Sequence, residues 1–517
     1  MGFQVQKAVS KFWLQHLNLV LIKTDSSHKT ILKATGVFGF SQVLKILVGL
    51  IGSKFVALFL GTTGIGIVAL LQNTIAIISS LTGFGINISG VRMVALANAD
   101  TNREQFSKTI TVLQRWSIAT GILGVLLTLL LAKPLSIWTF GSTEYVNWFL
   151  VLSLNFIFSG LAMQKMVVLQ GTRSMKAIAV STVVYAVLIT AITIPIYYFF
   201  RMEGIVAVLL LTSVLNYLVN WFFARKIEIV AVKVGFKETL SRGKEMIQLG
   251  FLLSINVIFG HIMAYLLKLY FNFKNSSDSV LGLYVVASTL LITYVGMIFS
   301  AMSTDFYPRL TVVEKDHSKV KEMVNDQIEI ALLLITPLIL AFYFVAPLLI
   351  RVLYSEEFLD VVVILKFALL AIIVKAIIWP LAFIILAKGE KRLYFQQELL
   401  GDAMNIGSTI LLYNYFGLIG IGLAMLLNYV LYGLYVFNVV QHKFQFYFRK
   451  NTALIICKSL TLGVLAALTV FVFDYPTVYF IMPVLCLISI YFSYTEMNKR
   501  IDLNLYLQKF LNKFRKF

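Results

Sequence analysis

Charged residues inside the apolar stretches of this chain are almost all basic. They are Lys45, Lys54, Arg115, Lys165, Lys268, Lys366, Lys375 and Lys458. A charge in a bilayer is costly, so it faces a wet cavity or the interior of a helix bundle, or it reaches back to the interface. Lys45 and Lys375 are too deep in their stretches to reach an interface. A cavity lined by such cations attracts anions, and phosphate is an anion that lysine binds as a point charge.

Nine residues are therefore predicted to bind substrate. Lys165, Lys366 and Lys458 are left out because they lie near the ends of their stretches, where a lysine reaches the interface. Uncharged amide side chains in the same stretches can form hydrogen bonds with sugar hydroxyls, although each of them can equally form a hydrogen bond between two helices. The predicted residues are the cations Lys45, Lys54, Arg115, Lys268 and Lys375 and the amides Gln72, Asn73, Asn87 and Asn256.

Two acidic residues interrupt this basic pattern. Glu398 and Asp402 are four residues apart, so they share one face of a helix. Asp402 and Lys375 lie at similar depths in neighbouring stretches. The pair predicts either a structural ion pair with Lys375 or a site that couples transport to a proton or another cation.

Other site chemistries find no support in the sequence. It contains no glycine-rich phosphate loop after a strand, no cluster of metal ligands and no Ser-His-Asp arrangement in a plausible context. The two cysteines, Cys457 and Cys486, both fall in apolar runs, which argues against a disulfide framework. We expect no catalytic residue, no metal and no cofactor.

The elements that carry these residues are predicted to be membrane helices. With 59% hydrophobic and 13% charged residues, 517 residues contain too little polar sequence to cover a soluble globule. Backbone groups in lipid must be satisfied within a segment, so we expect an all-α polytopic membrane protein. Fourteen spans are predicted, at 34–60, 65–91, 109–132, 146–170, 177–200, 204–224, 247–271, 280–304, 327–348, 361–387, 392–414, 418–440, 452–473 and 477–496.

The net charge of +20 indicates orientation and not nucleic-acid binding. Most lysines and arginines fall in loops on one side of the predicted spans, and basic loops stay in the cytoplasm. We therefore expect a multi-pass membrane protein with both termini cytoplasmic.

Weak internal repeats organise the spans. Gln170-Gly171-Thr172-Arg173 and Lys388-Gly389-Glu390-Lys391 are 218 residues apart, and Gly66 and Gly282 are separated by nearly the same distance. Six spans per repeat predict two lobes related by a pseudo-twofold axis along the membrane normal. The predicted parts are an interfacial segment (1–32), an N-lobe (33–240), a C-lobe (241–448), two extra spans (449–497) and an amphipathic cytoplasmic tail (498–517).

The order of several short motifs resembles the Wzx-type O-antigen and enterobacterial-common-antigen flippases of the MATE-like MOP superfamily. The motifs are Lys33-Ala34, Gly52-Ser53-Lys54, Phe59-Leu60-Gly61-Thr62-Thr63-Gly64-Ile65-Gly66, Gly83-Phe84-Gly85-Ile86, Gly171-Thr172-Arg173, and Leu386-Ala387-Lys388 with Glu398 after it. The resemblance implies a MATE-like fold with two six-helix lobes around a cationic cavity. It also implies a place in the bacterial inner membrane and transport of an undecaprenyl-diphosphate-linked oligosaccharide from the cytoplasmic to the periplasmic leaflet. Membrane lipids and a polysaccharide polymerase or glycosyltransferases are the implied partners.

Two other functions stay open on the sequence. A MATE-type multidrug or cation antiporter would need acidic residues in the membrane, and Glu398 and Asp402 are the acidic residues found there. A membrane glycosyltransferase or polymerase, or a scaffold for one, would need a catalytic loop, and the predicted outside loops are short. A transporter that is not an enzyme fits the pattern best.

Overall fold

A computed structural model describes residues 26–99, 102–274 and 279–501, and nearly all of them are helical. No strand occurs within these ranges. Most of the predicted interfacial segment (1–32) and most of the predicted tail (498–517) lie outside the described residues.

The helices form two compact units. Unit 1 contains Leu70–His261 and the chain up to Leu60, and unit 2 contains Gly61–Ala69 and the chain from Ile262 onward. The first eight helices are α1 (Ser26–Gly83), α2 (Ile86–Ala99), α3 (Arg103–Phe140), α4 (Val146–Leu152), α5 (Asn155–Gly171), α6 (Met175–Phe200), α7 (Gly204–Ala224) and α8 (Phe236–Lys274). The next eight are α9 (Ser279–Ser288), α10 (Gly296–Val312), α11 (His317–Leu353), α12 (Val361–Ala387), α13 (Lys391–Phe416), α14 (Leu418–Phe444), α15 (Lys450–Val472) and α16 (Tyr475–Ile501).

The prediction of an all-helical, multi-pass membrane protein is confirmed. Ten segments of the described chain are long and apolar enough to cross a membrane. Two of them, Leu44–Gly83 and Met175–Ala224, each cover two predicted spans. Helices α8 and α13 lie outside these ten, and α13 carries Glu398 and Asp402 in its first half. Fourteen crossings therefore stay a prediction.

A break at Gly61 divides α1 where the sequence predicts a turn between two spans. Gly61 has φ 63° and ψ −168°, a conformation open to glycine and strained for other residues. The next residue is held by Glu357, whose Oε1 accepts from the Thr62 backbone N–H at 3.3 Å and from the Thr62 hydroxyl at 2.9 Å. This carboxylate fixes the start of the Gly61–Ala69 segment within unit 2.

A second break lies between α1 and α2 and lets α8 approach within unit 1. Phe84 and Gly85 both have positive φ, 46° and 63°. A Cβ on Gly85 would lie 2.1 Å from the Gly250 carbonyl oxygen, and a Cβ on Gly250 would lie 2.5 Å from the Phe84 carbonyl oxygen. The two glycines therefore allow the backbones to touch.

In unit 2, α12 is the central helix and packs against α11, α14 and α15. Helices α15 and α16, the predicted extra spans, also pack against α11. A buried carboxylate joins these three helices at one end: Glu329, with 4% of its side chain exposed, lies 2.8 Å from Arg500 Nε and 3.3 Å from Arg449 Nη2. The Thr452 hydroxyl donates to the same carboxylate at 2.5 Å.

Candidate functional site

Unit 2 brings together three of the residues predicted from the sequence, Lys375, Glu398 and Asp402. Lys375 on α12 and Glu398 on α13 line a cavity of about 180 Å³. The Lys375 ammonium lies 5.2 Å from the centre of the Phe299 ring and 5.6 Å from that of Tyr429. Aromatic faces stabilise a cation that has left water. Among the described residues, the side chain of Lys375 is therefore contacted by aromatic rings and not by a carboxylate.

A neighbouring cavity of about 270 Å³ contains the acidic pair. Glu398 and Asp402 line it together with Asn405 of the same helix and Asn428 of α14. The spacing of four and three residues along α13 places these polar groups on one face, as the sequence predicts for the two acids. The cavity therefore gathers two carboxylates and two amides, a set of oxygen ligands suited to a proton or a small cation.

The same cavity is bordered by an irregular stretch of helix. Between α9 and α10, Thr289–Val295 forms a π-helix, and its flanking residue Ser288 lines the cavity with Ile292. π-helical turns widen a helix and often occur at functional sites. The two cavities share Glu398, Tyr429 and Tyr432. Together they form the Lys375–Asp402 site.

The structure does not contain the ion pair that the sequence offers as one role for Asp402. Among the described residues, no carboxylate forms an ion pair with Lys375. Within the same part of the chain, no group of three or more His, Cys, Asp or Glu could hold a metal ion. A coupling site for a proton or a monovalent cation stays a prediction for Glu398 and Asp402.

Three other predicted residues have structural partners or face outward in unit 1. Arg115 Nη1 donates to the Val234 carbonyl and the Thr239 hydroxyl, each at 2.8 Å. Asn73 Nδ2 donates to the His261 carbonyl at 3.0 Å, which is the helix-joining role open to any such amide. Gln72 is exposed.

The remaining predicted residues are spread over both units. Lys45 is exposed and Lys54 is half-buried on α1, and Lys268 is half-buried on the part of α8 that belongs to unit 2. The side chain of Asn256 lies outside the described part of the structure. The role of these residues in substrate binding stays a prediction.

Unit 1 contains its own cavity, of about 530 Å³, and Asn87 is the predicted residue that lines it. Its other polar side chains are hydroxyls and amides from α1, α3, α5, α7 and α8, including Gln164, Asn216, Asn220 and Ser254. Of these, Asn216 and Asn220 are four residues apart in an apolar run, a spacing that could have marked them in the sequence. The cavity is called the unit 1 cavity below.

Comparison with protein families identifies the chain. Residues 55–363, more than half of its length, match the model of a family described as polysaccharide biosynthesis protein. The chain belongs to this polysaccharide biosynthesis family. No curated protein matches the sequence.

Solved structures show the fold of this polysaccharide biosynthesis family member. The lipid II flippase MurJ, in an inward closed conformation, matches with a TM-score of 0.64 and 15% identity over 90% of this chain and 98% of its own. An inward-facing multidrug resistance MATE transporter of the MOP superfamily matches with a TM-score of 0.64 and 16% identity over 77% of this chain and 95% of its own. A MOP superfamily transporter from Pyrococcus furiosus matches with a TM-score of 0.56 and 14% identity over 80% of this chain and 96% of its own. The expected MATE-like transporter fold is confirmed.

Proposed function

We propose that this chain is a flippase that moves an undecaprenyl-diphosphate-linked oligosaccharide, of the O-antigen repeat type, across the bacterial inner membrane. Its family supports a role in polysaccharide biosynthesis. The observation that carries the proposal is the match to a lipid II flippase over 90% of the chain, against 77% for the MATE transporter of equal TM-score. A polysaccharide polymerase and glycosyltransferases would be its functional partners, and both termini would be cytoplasmic.

The proposed mechanism is alternating access, in which the bundle opens to one side of the membrane at a time. Lys45, Lys54, Lys268 and Lys375 would attract the diphosphate or acidic sugars, because a cation in a region of low dielectric attracts an anion strongly. Arg115 already donates to two acceptors, one just before α8 and one in its first turn, so we assign it a structural role. Glu398 and Asp402 would couple the cycle to a proton or a monovalent cation.

The test replaces the chromosomal gene with charge variants and measures polysaccharide at the cell surface. Lys375→Glu and Lys54→Glu are expected to abolish it, whereas Lys375→Arg retains the charge and much of the export. Lys237→Glu reverses an exposed cation outside the cavities and serves as the control. Western blots of membranes check insertion. Normal surface polysaccharide in both reversal strains would refute the proposal.

The coupling role is tested in the same strains. Asp402→Asn keeps the shape of the side chain but removes its charge, so export should lose its dependence on the pH or cation gradient. If export by Asp402→Asn responds to these gradients as the wild type does, the coupling site lies elsewhere.

A MATE-type cation antiporter is the second candidate, favoured by the carboxylates that line the 270 Å³ cavity. Expression in a drug-sensitive host would then confer resistance to cationic drugs, and Asp402→Asn would remove that resistance. A glycosyltransferase or polymerase would instead be revealed by product formation from the purified protein.

A further inference from the structure

The unit 1 cavity differs in chemistry from the Lys375–Asp402 site. Among the described residues that line it, none is charged, and its polar groups are hydroxyls and carboxamides. An ionised group inside it would lose water without gaining a partner of opposite charge. The cavity therefore suits an uncharged ligand.

One lining residue is a buried amide with no partner in the described part of the chain. Gln164 on α5 is 1% exposed, and neither its Nε2 nor its Oε1 has a hydrogen-bond partner among the described residues. A buried amide that makes no hydrogen bond is costly, and such a group in a native structure calls for an explanation. Because Gln164 lines the cavity, a ligand there that both donates and accepts hydrogen bonds would satisfy it.

The rest of the lining suits hydroxyl groups. Asn220 on α7 is 3% exposed and donates to Asn216 Oδ1 at 2.8 Å, so these two amides are held together on one wall. Carboxamides offer both donors and an acceptor, which matches sugar hydroxyls that also do both. Phe156 supplies an apolar surface beside them, against which the C–H face of a sugar ring can pack.

The size of the cavity distinguishes a ligand from a trapped water. A water molecule takes up about 30 Å³ in the liquid, so a cavity of 530 Å³ has room for far more than one. Small-molecule sites have volumes of roughly 300 to 1,000 Å³. The unit 1 cavity falls in this range.

We propose that the unit 1 cavity binds an uncharged sugar ring, with Gln164 as its central hydrogen-bonding residue. The inference rests on the proposed flippase function, in which the sugar belongs to the lipid-linked oligosaccharide. It goes further by assigning the neutral sugar to a cavity inside unit 1, whereas the Lys375–Asp402 site of unit 2 contains one lysine and two carboxylates.

The experiment measures protection of a cavity cysteine in the purified full-length protein. Cys457 and Cys486 are replaced by alanine and Ser159, which lines the cavity, by cysteine. Alkylation by N-ethylmaleimide is timed with N-acetylglucosamine, galactose or rhamnose at tens of millimolar, and with glycerol as the control for osmolarity. For a Kd of about 1 mM, a sugar that fits slows labelling roughly 20- to 50-fold, since the protection factor is 1 + [L]/Kd. A cysteine at the exposed position Thr143 should be labelled at the same rate with and without sugar.

Gln164→Leu and Gln164→Met separate a binding role from a structural one. Both variants should lose the sugar protection while the thermal midpoint of the protein rises, because each removes an unpaired buried amide. A residue that only stabilised the fold would lower the midpoint. Protection that persists in both variants, or a lowered midpoint, would overturn the role of Gln164.

The remaining outcomes distinguish this inference from the proposed function. Labelling that no sugar slows, or that only a cationic dye such as ethidium slows, would overturn the sugar site. In cells, loss of surface polysaccharide with Lys375→Glu but not with Gln164→Leu leaves the flippase proposal standing and refutes the sugar site. Sugar protection in vitro, with normal surface polysaccharide in the Lys375→Glu, Lys54→Glu and Gln164→Leu strains, supports the site and refutes the flippase.

Discussion

Replacing Glu329 with glutamine should loosen the two C-terminal helices, α15 and α16, from α11 within unit 2. The carboxylate is 4% exposed and binds Arg449 before α15, Thr452 in α15 and Arg500 near the end of α16. Glutamine has nearly the same volume, so the substitution removes charge without opening a cavity. The two arginines, which are themselves partly buried, would then face an uncharged side chain.

The size of the expected loss in stability follows from the burial of Glu329 and from the other partners of the two arginines. Removing one partner of a buried ion pair costs about 3–5 kcal/mol. Arg500 also pairs with Glu496 at 2.9 Å and Arg449 also pairs with Asp326, so neither guanidinium is left alone. We therefore expect a loss at the lower end, about 3 kcal/mol. Asp326→Asn is the matched control, because its side chain is 54% exposed and exposed pairs contribute about 0–1 kcal/mol.

The assay is thermal unfolding of the purified protein, with the native thiols as local reporters. Glu329→Gln should lower the midpoint by several degrees and Asp326→Asn by much less. Cys486 on α16 is partly buried, so its alkylation should become faster in Glu329→Gln at temperatures well below the midpoint. Equal midpoints for the two variants, together with unchanged labelling of Cys486, would refute the reasoning.

Two further predictions concern a glycine contact and a helix cap. Gly250→Ala should lower the thermal midpoint, because the added Cβ would lie 2.5 Å from the Phe84 carbonyl oxygen and the α8 backbone would have to move. An unchanged midpoint would contradict this close contact. Asp316 caps α11, and the hydrogen bond from the Lys319 backbone N–H lowers its pKa below 3.8. The cap therefore stabilises the folded protein above pH 3.8, and this stabilisation is lost as pH falls through the lowered pKa. The thermal midpoints of wild type and Asp316→Ala should differ at neutral pH and converge in acid. A difference that does not depend on pH would exclude a charged cap.

Much of the fold could be predicted from composition and from the glycine-rich turns that separate apolar stretches. Long apolar stretches require helices, because lipid offers no partner for backbone N–H and C=O groups. The turn at Gly61 follows from a cluster of glycine and threonine, and the structure places the break there. For the polar helix α13, the spacing of Glu398 and Asp402 predicts that they share one helix face, and both line one cavity in the structure.

Pairings between distant helices could not be predicted. The sequence places Lys375 and Asp402 at similar depths, which predicts an ion pair as one possibility. The structure instead places rings near Lys375, and in the described chain it forms no ion pair with Glu398 or Asp402. Depth follows from position along one helix, whereas partners depend on how each helix is rotated about its axis. A helix that is apolar on every side carries little information about that rotation.

The sequence by itself determined the membrane class, the helical character of the apolar stretches and the shared face of the acidic pair on α13, because these depend on local composition and on the period of a helix. Tertiary structure alone decided that Gln164, Asn220 and Ser254 meet in one neutral cavity, and that Glu329 joins α11 to α15 and α16. These groups are far apart along the chain and come together only when particular helix faces pack. The physical reason is that hydrogen bonding within a helix is local, while the choice of neighbouring helix depends on side-chain shape and on polar groups that must find partners.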